Sequence, residues 1–190
     1  LIIPLGRWII NTAAKACNRW ITSIPDFVMH INLSFVQIVK SNIVKDVLEN
    51  IERYSAANNH YVFEITETIE MDQIPAVQNV FKEFVKNEFR FAIDDFGTGY
   101  SNYGYMRDRT FDIVKVDRSF VTDIDKLKDN YLMVSFIIKM AHEMGLHVCI
   151  EGVETKEELS CVKKLGADYI QGYYTAKPSP EAIAEIDKRI

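Results

Sequence analysis

The chain has 190 residues, with 22 Lys and Arg against 27 Asp and Glu, a formal net charge of −5, and 48% hydrophobic residues. These ordinary fractions exclude a disordered tail and a collagen-like repeat, and the length suits one domain. The acidic balance argues against capture of a nucleic acid polymer, which needs clustered Lys and Arg. The three cysteines form no CxxC pair, so we expect a cytoplasmic domain without disulfides.

Six short runs rich in β-branched and aromatic residues are predicted as strands. They span residues 28–33, 61–65, 89–93, 111–116, 148–150 and 169–170. Stretches with helical spacing lie between them, and helix starts are indicated by Ser34 with Gln37, Thr155 with Glu158, and Ser179-Pro180-Glu181. No Gly-, Ser- or Pro-rich linker interrupts this order, so residues 1–190 are predicted to form one domain without an internal boundary.

Strands that alternate with helices predict an α/β fold in which helices cover a parallel sheet. An open doubly wound sheet would normally carry a glycine-rich phosphate loop, and neither GxGxxG nor GxxxxGK[ST] occurs. A (βα) barrel instead collects polar residues at the carboxyl ends of successive strands. That pattern is present, because a polar residue stands at or beside the carboxyl end of each of the six runs: Asn32, Glu64, Asp94-Asp95, Lys115, Glu151 and Gln171.

Five of these residues form a set of oxygen ligands, namely the carboxylates Glu64, Asp94, Asp95 and Glu151 with the amide oxygen of Asn32. Carboxylates with an amide oxygen suit Mg²⁺ or Mn²⁺ better than zinc or copper. The adjacent Asp94 and Asp95 suggest two ions bridged by one carboxylate, the arrangement that clamps a phosphoryl group during in-line displacement. Lys115 could orient the attacking water, or form a buried ion pair with one of the acids, and the two interpretations are compatible.

The remaining polar candidates have simpler interpretations. The loop Asp94-Asp95-Phe96-Gly97-Thr98-Gly99-Tyr100-Ser101 is either a tight turn or a loop that positions metals. The four histidines His30, His60, His142 and His147 lie in no metal-binding motif, so we assign them to packing or to the surface.

Six motifs follow one another along the chain: Ile31-Asn32-Leu33-Ser34, Glu64-Ile65-Thr66-Glu67, the loop from Asp94 to Ser101, Lys115-Val116-Asp117, Glu151-Gly152-Val153-Glu154 and Gln171-Gly172-Tyr173-Tyr174. In type and order they resemble the motifs of the EAL domain, the bacterial cyclic-di-GMP phosphodiesterase. The resemblance implies hydrolysis of cyclic-di-GMP to linear pGpG. It also implies a TIM-like barrel of eight strands, of which this chain would hold six and lack the first two.

The resemblance further implies two Mg²⁺ or Mn²⁺ ions. The ligands of the first would be Asn32, Glu64 and Asp94, and those of the second Asp94, Asp95 and Glu151. Lys115 would orient the attacking water. The catalytic residues that the resemblance implies are Lys115, Glu151 and Asp95. Glu67 would anchor the loop after Asp95, and the further residues implied to line the site are Asp117, Glu154 and Gln171.

The resemblance has consequences beyond the site itself. It implies a homodimer formed through the helix after the Lys115 strand and through the loop after Asp95. It also implies fusion to sensory or GGDEF-type domains in the full-length protein, where any membrane anchor would lie. The Glu-Ala-Leu segment that names the family is expected upstream of Leu1, so we interpret the chain as a piece of a longer protein. Two alternatives stay open: an inactive cyclic-di-GMP receptor or dimerising module, and, on chemistry alone, an enolase-like barrel.

Overall fold

The computed structural model describes residues 1–66, 75–98 and 110–179. In these ranges the α-helices are α1 Ile2–Trp20, α2 Phe35–Lys40, α3 Ile43–Ile51, α4 Pro75–Lys86, α5 Lys128–Glu143 and α6 Lys156–Leu165. The strands are β1 Met29–Asn32, β2 Tyr61–Thr66, β3 Arg90–Phe96, β4 Ile113–Val116, β5 His147–Ile150 and β6 Tyr169–Ile170. All six predicted strands are confirmed. Their bounds shift most at β3, which continues through Asp94 and Asp95 to Phe96.

Two of the predicted helix starts are confirmed by their capping geometry. The Ser34 side chain accepts a hydrogen bond from the Gln37 amide at the start of α2, and the Gln37 side chain accepts one from the Ser34 amide. Thr155 and Glu158 form the same reciprocal pair at the start of α6. Each box satisfies two amides that the first helical turn leaves without a partner. The third start, at residues 179–181, extends beyond the described residues.

The chain divides within β3 into two compact units, Leu1–Ala92 and Ile93–Ile190. In the first unit the strand order is β1-β2-β3, and β1 pairs with β2 in parallel so that Asn32 lies opposite Glu64. In the second unit the order is β3-β4-β5-β6, and both β4 with β5 and β5 with β6 are parallel pairs. The organisation as one domain without an internal boundary stays a prediction.

The core of the first unit is aromatic. Phe63 on β2 meets Phe84 on α4 edge to face, with ring centroids 5.0 Å apart, and Phe81 meets Phe91 in the same way at 4.7 Å. Such pairs contribute about 0.5 to 1.5 kcal/mol each beyond the area they bury. They hold α4 against the strands and so fix the position of Glu64, one residue after Phe63.

The core of the second unit is aliphatic, and β4 runs through it. All four residues of β4 are buried, as expected for a central strand of a parallel sheet. Because Lys115 is one of them and is only 3% exposed, its ammonium group must find partners inside the protein. Within residues 1–66, 75–98 and 110–179, none of the helices has the length and apolar character to span a membrane.

Asp168 ties the start of β5 to the segment that leads into β6. Its carboxylate accepts a 2.7 Å hydrogen bond from the Val148 amide, and Nε2 of His142 lies 2.8 Å from the same oxygen. Burial by itself would raise the pKa of Asp168, but the hydrogen bonds from His142, Val148 and His147 outweigh it. The pKa of Asp168 is therefore lower than that of an ordinary aspartate.

Candidate active site

Lys115 joins two of the predicted acids in the second unit. Its Nζ lies 2.8 Å from Oδ1 of Asp94 and 2.8 Å from Oε1 of Glu151. The side chains of Asp94 and Glu151 are 14% and 16% exposed, so both carboxylates have lost most of their contact with water. The ammonium group offsets the repulsion between them. The buried ion pair predicted for Lys115 is confirmed, and it involves two acids rather than one.

The backbone at Asp95 explains how adjacent aspartates can face the same cluster. Successive side chains of a strand point to opposite faces of the sheet. Asp95 has φ of 54°, in the left-handed region, and Gly97 follows with φ of 97°. Thr98 closes the turn, since both its amide and its hydroxyl donate to the Asp95 carbonyl. The alternation of β3 is thus broken at its carboxyl end, and the Asp95 carboxylate lies on the same side as that of Asp94.

Asp94, Asp95 and Glu151 form a group that fits a divalent cation. Each can offer one carboxylate oxygen, and the three oxygens lie within 4.8 Å of one another. Ligand oxygens around one small octahedral ion at 2.0 to 2.1 Å are separated by roughly 3 to 4 Å, so this spacing needs only a small adjustment. The donor set contains only hard oxygen atoms, which suits Mg²⁺ or Mn²⁺. These three carboxylates therefore fit one divalent cation of the predicted kind.

The segments after β5 and β6 are joined by backbone hydrogen bonds beside this cluster. The Gln171 amide donates to Ile150, and the Gln171 carbonyl accepts from the Val153 amide. At Gly172 a Cβ atom would lie 2.2 Å from the Val153 carbonyl oxygen and 2.4 Å from its nitrogen, so a side chain cannot fit there. This close approach holds Gln171 next to the segment that carries Glu151.

Asp117 and Glu154 are both engaged at the turn that contains Arg118. The Asp117 side chain accepts from the Ser119 amide and begins the 3-10 turn Arg118–Phe120. Burial alone would raise the pKa of Asp117, but the hydrogen bonds to Ser119 and Arg118 and the Arg118 charge outweigh it, so the pKa is lowered. Arg118 also pairs with Glu154, with its nitrogen 3.0 Å from Oε1. The same turn therefore engages both acids, Asp117 through the Ser119 amide and Glu154 through the Arg118 side chain.

The first unit contains the other two predicted ligands. Asn32 and Glu64 are direct partners across the parallel pair β1 and β2, so their side chains leave the same face of the sheet. Glu64 is only 5% exposed. Nδ1 of His30 lies 2.7 Å from Oε1 of Glu64, a contact that the assignment of the histidines to packing or surface missed. The sequence signal for this contact is a spacing of two positions between His30 and Asn32. Residues two apart in a strand lie on the same face of the sheet, so His30 shares the face on which Asn32 pairs with Glu64.

The predicted site residues thus fall into two described groups. The second unit brings together Lys115, Asp94, Asp95 and Glu151, with Gln171 on the neighbouring segment. The first unit brings together Asn32 and Glu64. Glu67 and the end of the loop after Thr98 lie outside the described residues, so the loop-anchoring role of Glu67 stays a prediction.

Comparison with known proteins identifies the family. A model of the family described as "EAL domain" matches residues 1–178. This chain belongs to the EAL domain family. Its fold is accordingly the α/β, TIM-barrel-like fold of EAL domains, with six strands in the described part of the chain.

Relatives and solved structures agree with this assignment. The EAL chain is 31% identical over 180 residues to the signaling protein YkoW of Bacillus subtilis, covering 95% of this chain and 22% of YkoW. It is 28% identical over 181 residues to MucR of Pseudomonas aeruginosa, a bifunctional diguanylate cyclase/cyclic di-GMP phosphodiesterase, covering 95% of this chain and 26% of MucR. The solved PaMucR phosphodiesterase complex with c-di-GMP superimposes with a TM-score of 0.89 at 28% identity, covering 97% of this chain and 75% of that one. The chain therefore spans about a quarter of these two curated relatives.

Proposed function

We propose that this EAL domain hydrolyses one phosphodiester bond of cyclic-di-GMP and releases linear pGpG. The observation that carries the proposal is the buried Lys115 bridge between Asp94 and Glu151, with Asp95 beside it. A domain with no chemistry to perform gains little from burying an ammonium group among carboxylates, because apolar residues of similar volume are often as stabilising. The phosphodiesterase names of relatives such as MucR support the same substrate.

The acids of this EAL domain would hold two Mg²⁺ or Mn²⁺ ions. Asn32, Glu64 and Asp94 are the proposed ligands of one ion, and Asp94, Asp95 and Glu151 those of the other. When bound, these ions would polarise the phosphoryl oxygens and increase the acidity of water. The clustered carboxylates of the second unit supply the compensating negative charge, and the ions would relieve their mutual repulsion.

The side chains of the cluster would position the reactants. Lys115 would hold the attacking water by a hydrogen bond from Nζ and offset the negative charge that develops on the phosphorus oxygens. The water oxygen would bond to phosphorus as the bond to the 3′ oxygen breaks, and a carboxylate of Asp95 or Glu151 would accept the water proton. The 3′ oxygen would leave as the hydroxyl of pGpG after it takes up a proton from solvent. Asp117, Glu154 and Gln171 are proposed to line the substrate site, and Glu67 to anchor the loop after Asp95.

The exposed face of α5 supports a homodimer of this domain. Leu132, Met133 and Phe136 lie on one side of the helix and are 54%, 46% and 56% exposed. Contiguous apolar surface of this kind is typical of protein interfaces.

We also propose fusion to sensory or GGDEF-type domains in the full-length protein, as the bifunctional name of MucR suggests. A cytoplasmic location is proposed because all three cysteines are free thiols.

The proposed activity is tested with the protein, cyclic-di-GMP and Mg²⁺ or Mn²⁺, followed by chromatography of the nucleotides. The wild type should produce pGpG, EDTA should stop the reaction, and Asp95→Asn should abolish turnover while leaving the unfolding transition in place. Lys126→Met removes an exposed lysine of the same unit and serves as the matched control that retains activity. Binding of cyclic-di-GMP without any product would favour the receptor module instead.

A further inference from the structure

His30 and Glu64 meet on the face of the sheet that carries Asn32. In β1 the buried residue is Ile31, and its neighbours His30 and Asn32 are exposed on the opposite face. In β2 the residue opposite Asn32 is Glu64, and the residue opposite His30 is Val62. His30 therefore reaches diagonally across the strand pair, and its Nδ1 lies 2.7 Å from Oε1 of Glu64.

The direction of this hydrogen bond follows from the chemistry of its two groups. An ionised carboxylate can only accept, so the Nδ1–H of His30 donates to Glu64. Both the Nδ1–H tautomer of neutral imidazole and the imidazolium ion carry this proton, so the contact does not depend on the charge of the ring. A bond to a carboxylate at this distance belongs to the strong, charge-assisted class.

The contact restricts a carboxylate that has little contact with water. The side chain of Glu64 is 6% exposed, whereas that of His30 is 37% exposed. A carboxylate removed from water needs hydrogen-bond donors to remain ionised. The His30 ring has only two side-chain torsions and starts from a rigid strand, so it fixes one oxygen of Glu64 in a defined place.

We propose that His30 is a positioning residue for Glu64 that orders this carboxylate for binding of the divalent cation it shares with Asn32. The inference rests on the proposed role of Glu64 as a metal ligand. His30 acts through Glu64 and does not itself bind the ion. Partners that orient a metal ligand typically change metal affinity by about 10- to 100-fold when they are removed.

The test measures Mn²⁺ and Mg²⁺ binding to the protein by titration calorimetry, without substrate. Glu64→Gln identifies the binding step that depends on Glu64. His30→Phe keeps a ring but removes both nitrogens, and His30→Asn returns an amide N–H close to the place of Nδ1. His60→Phe is the matched control, because His60 makes the same kind of Nδ1 contact to the Phe27 carbonyl in the same unit.

We expect His30→Phe to weaken the Glu64-dependent step about tenfold for both ions. His30→Asn should restore affinity to within about twofold, and His60→Phe should leave it unchanged. Equal binding by His30→Phe and the wild type would overturn the proposal, as would failure of His30→Asn to restore affinity or the absence of any step that Glu64→Gln removes. A loss for Mn²⁺ alone would also overturn it, because that result identifies His30 as a nitrogen ligand.

The outcome is separable from the proposed hydrolysis. Metal binding is read without turnover, so a wild type that makes no pGpG can still show the coupling between His30 and Glu64. Conversely, a wild type that makes pGpG while His30→Phe binds Mn²⁺ normally removes the His30 inference and leaves the activity intact.

Discussion

Replacement of Lys115 by methionine removes the ammonium group while keeping most of the side-chain volume. Two carboxylates, each 2.8 Å from Nζ, then lose their shared cation. Removing one partner of a buried ion pair costs about 3 to 5 kcal/mol, because the remaining charge is left without compensation. Asp94 and Glu151 keep 14% and 16% of their side-chain surface exposed, so residual hydration places the expected cost near the lower end, about 3 kcal/mol.

Urea unfolding in EDTA, followed by circular dichroism, measures this cost in the free energy of unfolding. A loss of about 3 kcal/mol corresponds to a fall of roughly 6 to 12 °C in Tm for a chain of this size. We expect the difference between Lys115→Met and the wild type to shrink in saturating Mn²⁺, because a bound cation neutralises the same acids. Lys126→Met, which removes a lysine with a 69% exposed side chain, should leave the transition unchanged.

A cost below about 1 kcal/mol in EDTA, a value typical of exposed ion pairs, would mean that Lys115 does not compensate buried charge on Asp94 and Glu151. A cost that is equal in EDTA and in saturating Mn²⁺ would mean that no bound cation takes the place of the Lys115 ammonium group. In that case Lys115 would stabilise the fold, but the cluster around it would not hold a metal.

Three further predictions concern the surroundings of the site. Gly172→Ala should destabilise the protein by about 2 to 3 kcal/mol in urea unfolding, because its Cβ would meet Val153 backbone atoms at 2.2 and 2.4 Å. The control is Gly145→Ala, where φ is 79° but the surrounding space is open. This variant should lower the free energy of unfolding by only about 1 kcal/mol. Because the folded-state pKa of Asp168 is lowered, its carboxylate stabilises the fold above about pH 4, and this stabilisation is lost as the pH falls through the folded-state pKa. Asp168→Asn should therefore lower the free energy of unfolding by roughly 1 kcal/mol at pH 7. The difference from the wild type should be smaller in acid unfolding. Phe136→Glu should convert the proposed dimer to a monomer in sedimentation velocity, and unchanged sedimentation would remove α5 from the interface.

Most of the fold could be predicted from the sequence because its signals are local. Each strand is a short run of β-branched or aromatic residues, and the boxes at Ser34 and Thr155 are complete within four residues. The ends of the strands were less predictable. The run that begins at Phe89 loses its apolar character at Asp94, yet β3 continues to Phe96 because ladder hydrogen bonds do not require apolar side chains.

The candidate site was predictable in its membership but not in its geometry. Polar residues at strand ends identify Asp94, Lys115 and Glu151, since the carboxyl ends of parallel strands meet at one edge. The left-handed conformation of Asp95 depends on the turn closed by Thr98 and could not be read from residue types. His30 was missed because its partner Glu64 is 34 positions away, and only the alternation of β1 brings the two together.

Hydrolysis in water enriched with ¹⁸O shows whether this domain catalyses attack of water on the phosphorus of cyclic-di-GMP. The protein is incubated with cyclic-di-GMP and Mn²⁺, and the nucleotides are analysed by mass spectrometry. Attack of water on phosphorus predicts linear pGpG with one ¹⁸O atom in its terminal 5′-phosphate, and no such product from Asp95→Asn. Cyclic-di-GMP that stays intact while it is bound at saturating concentration with Mn²⁺ would exclude the proposed hydrolysis and identify a receptor.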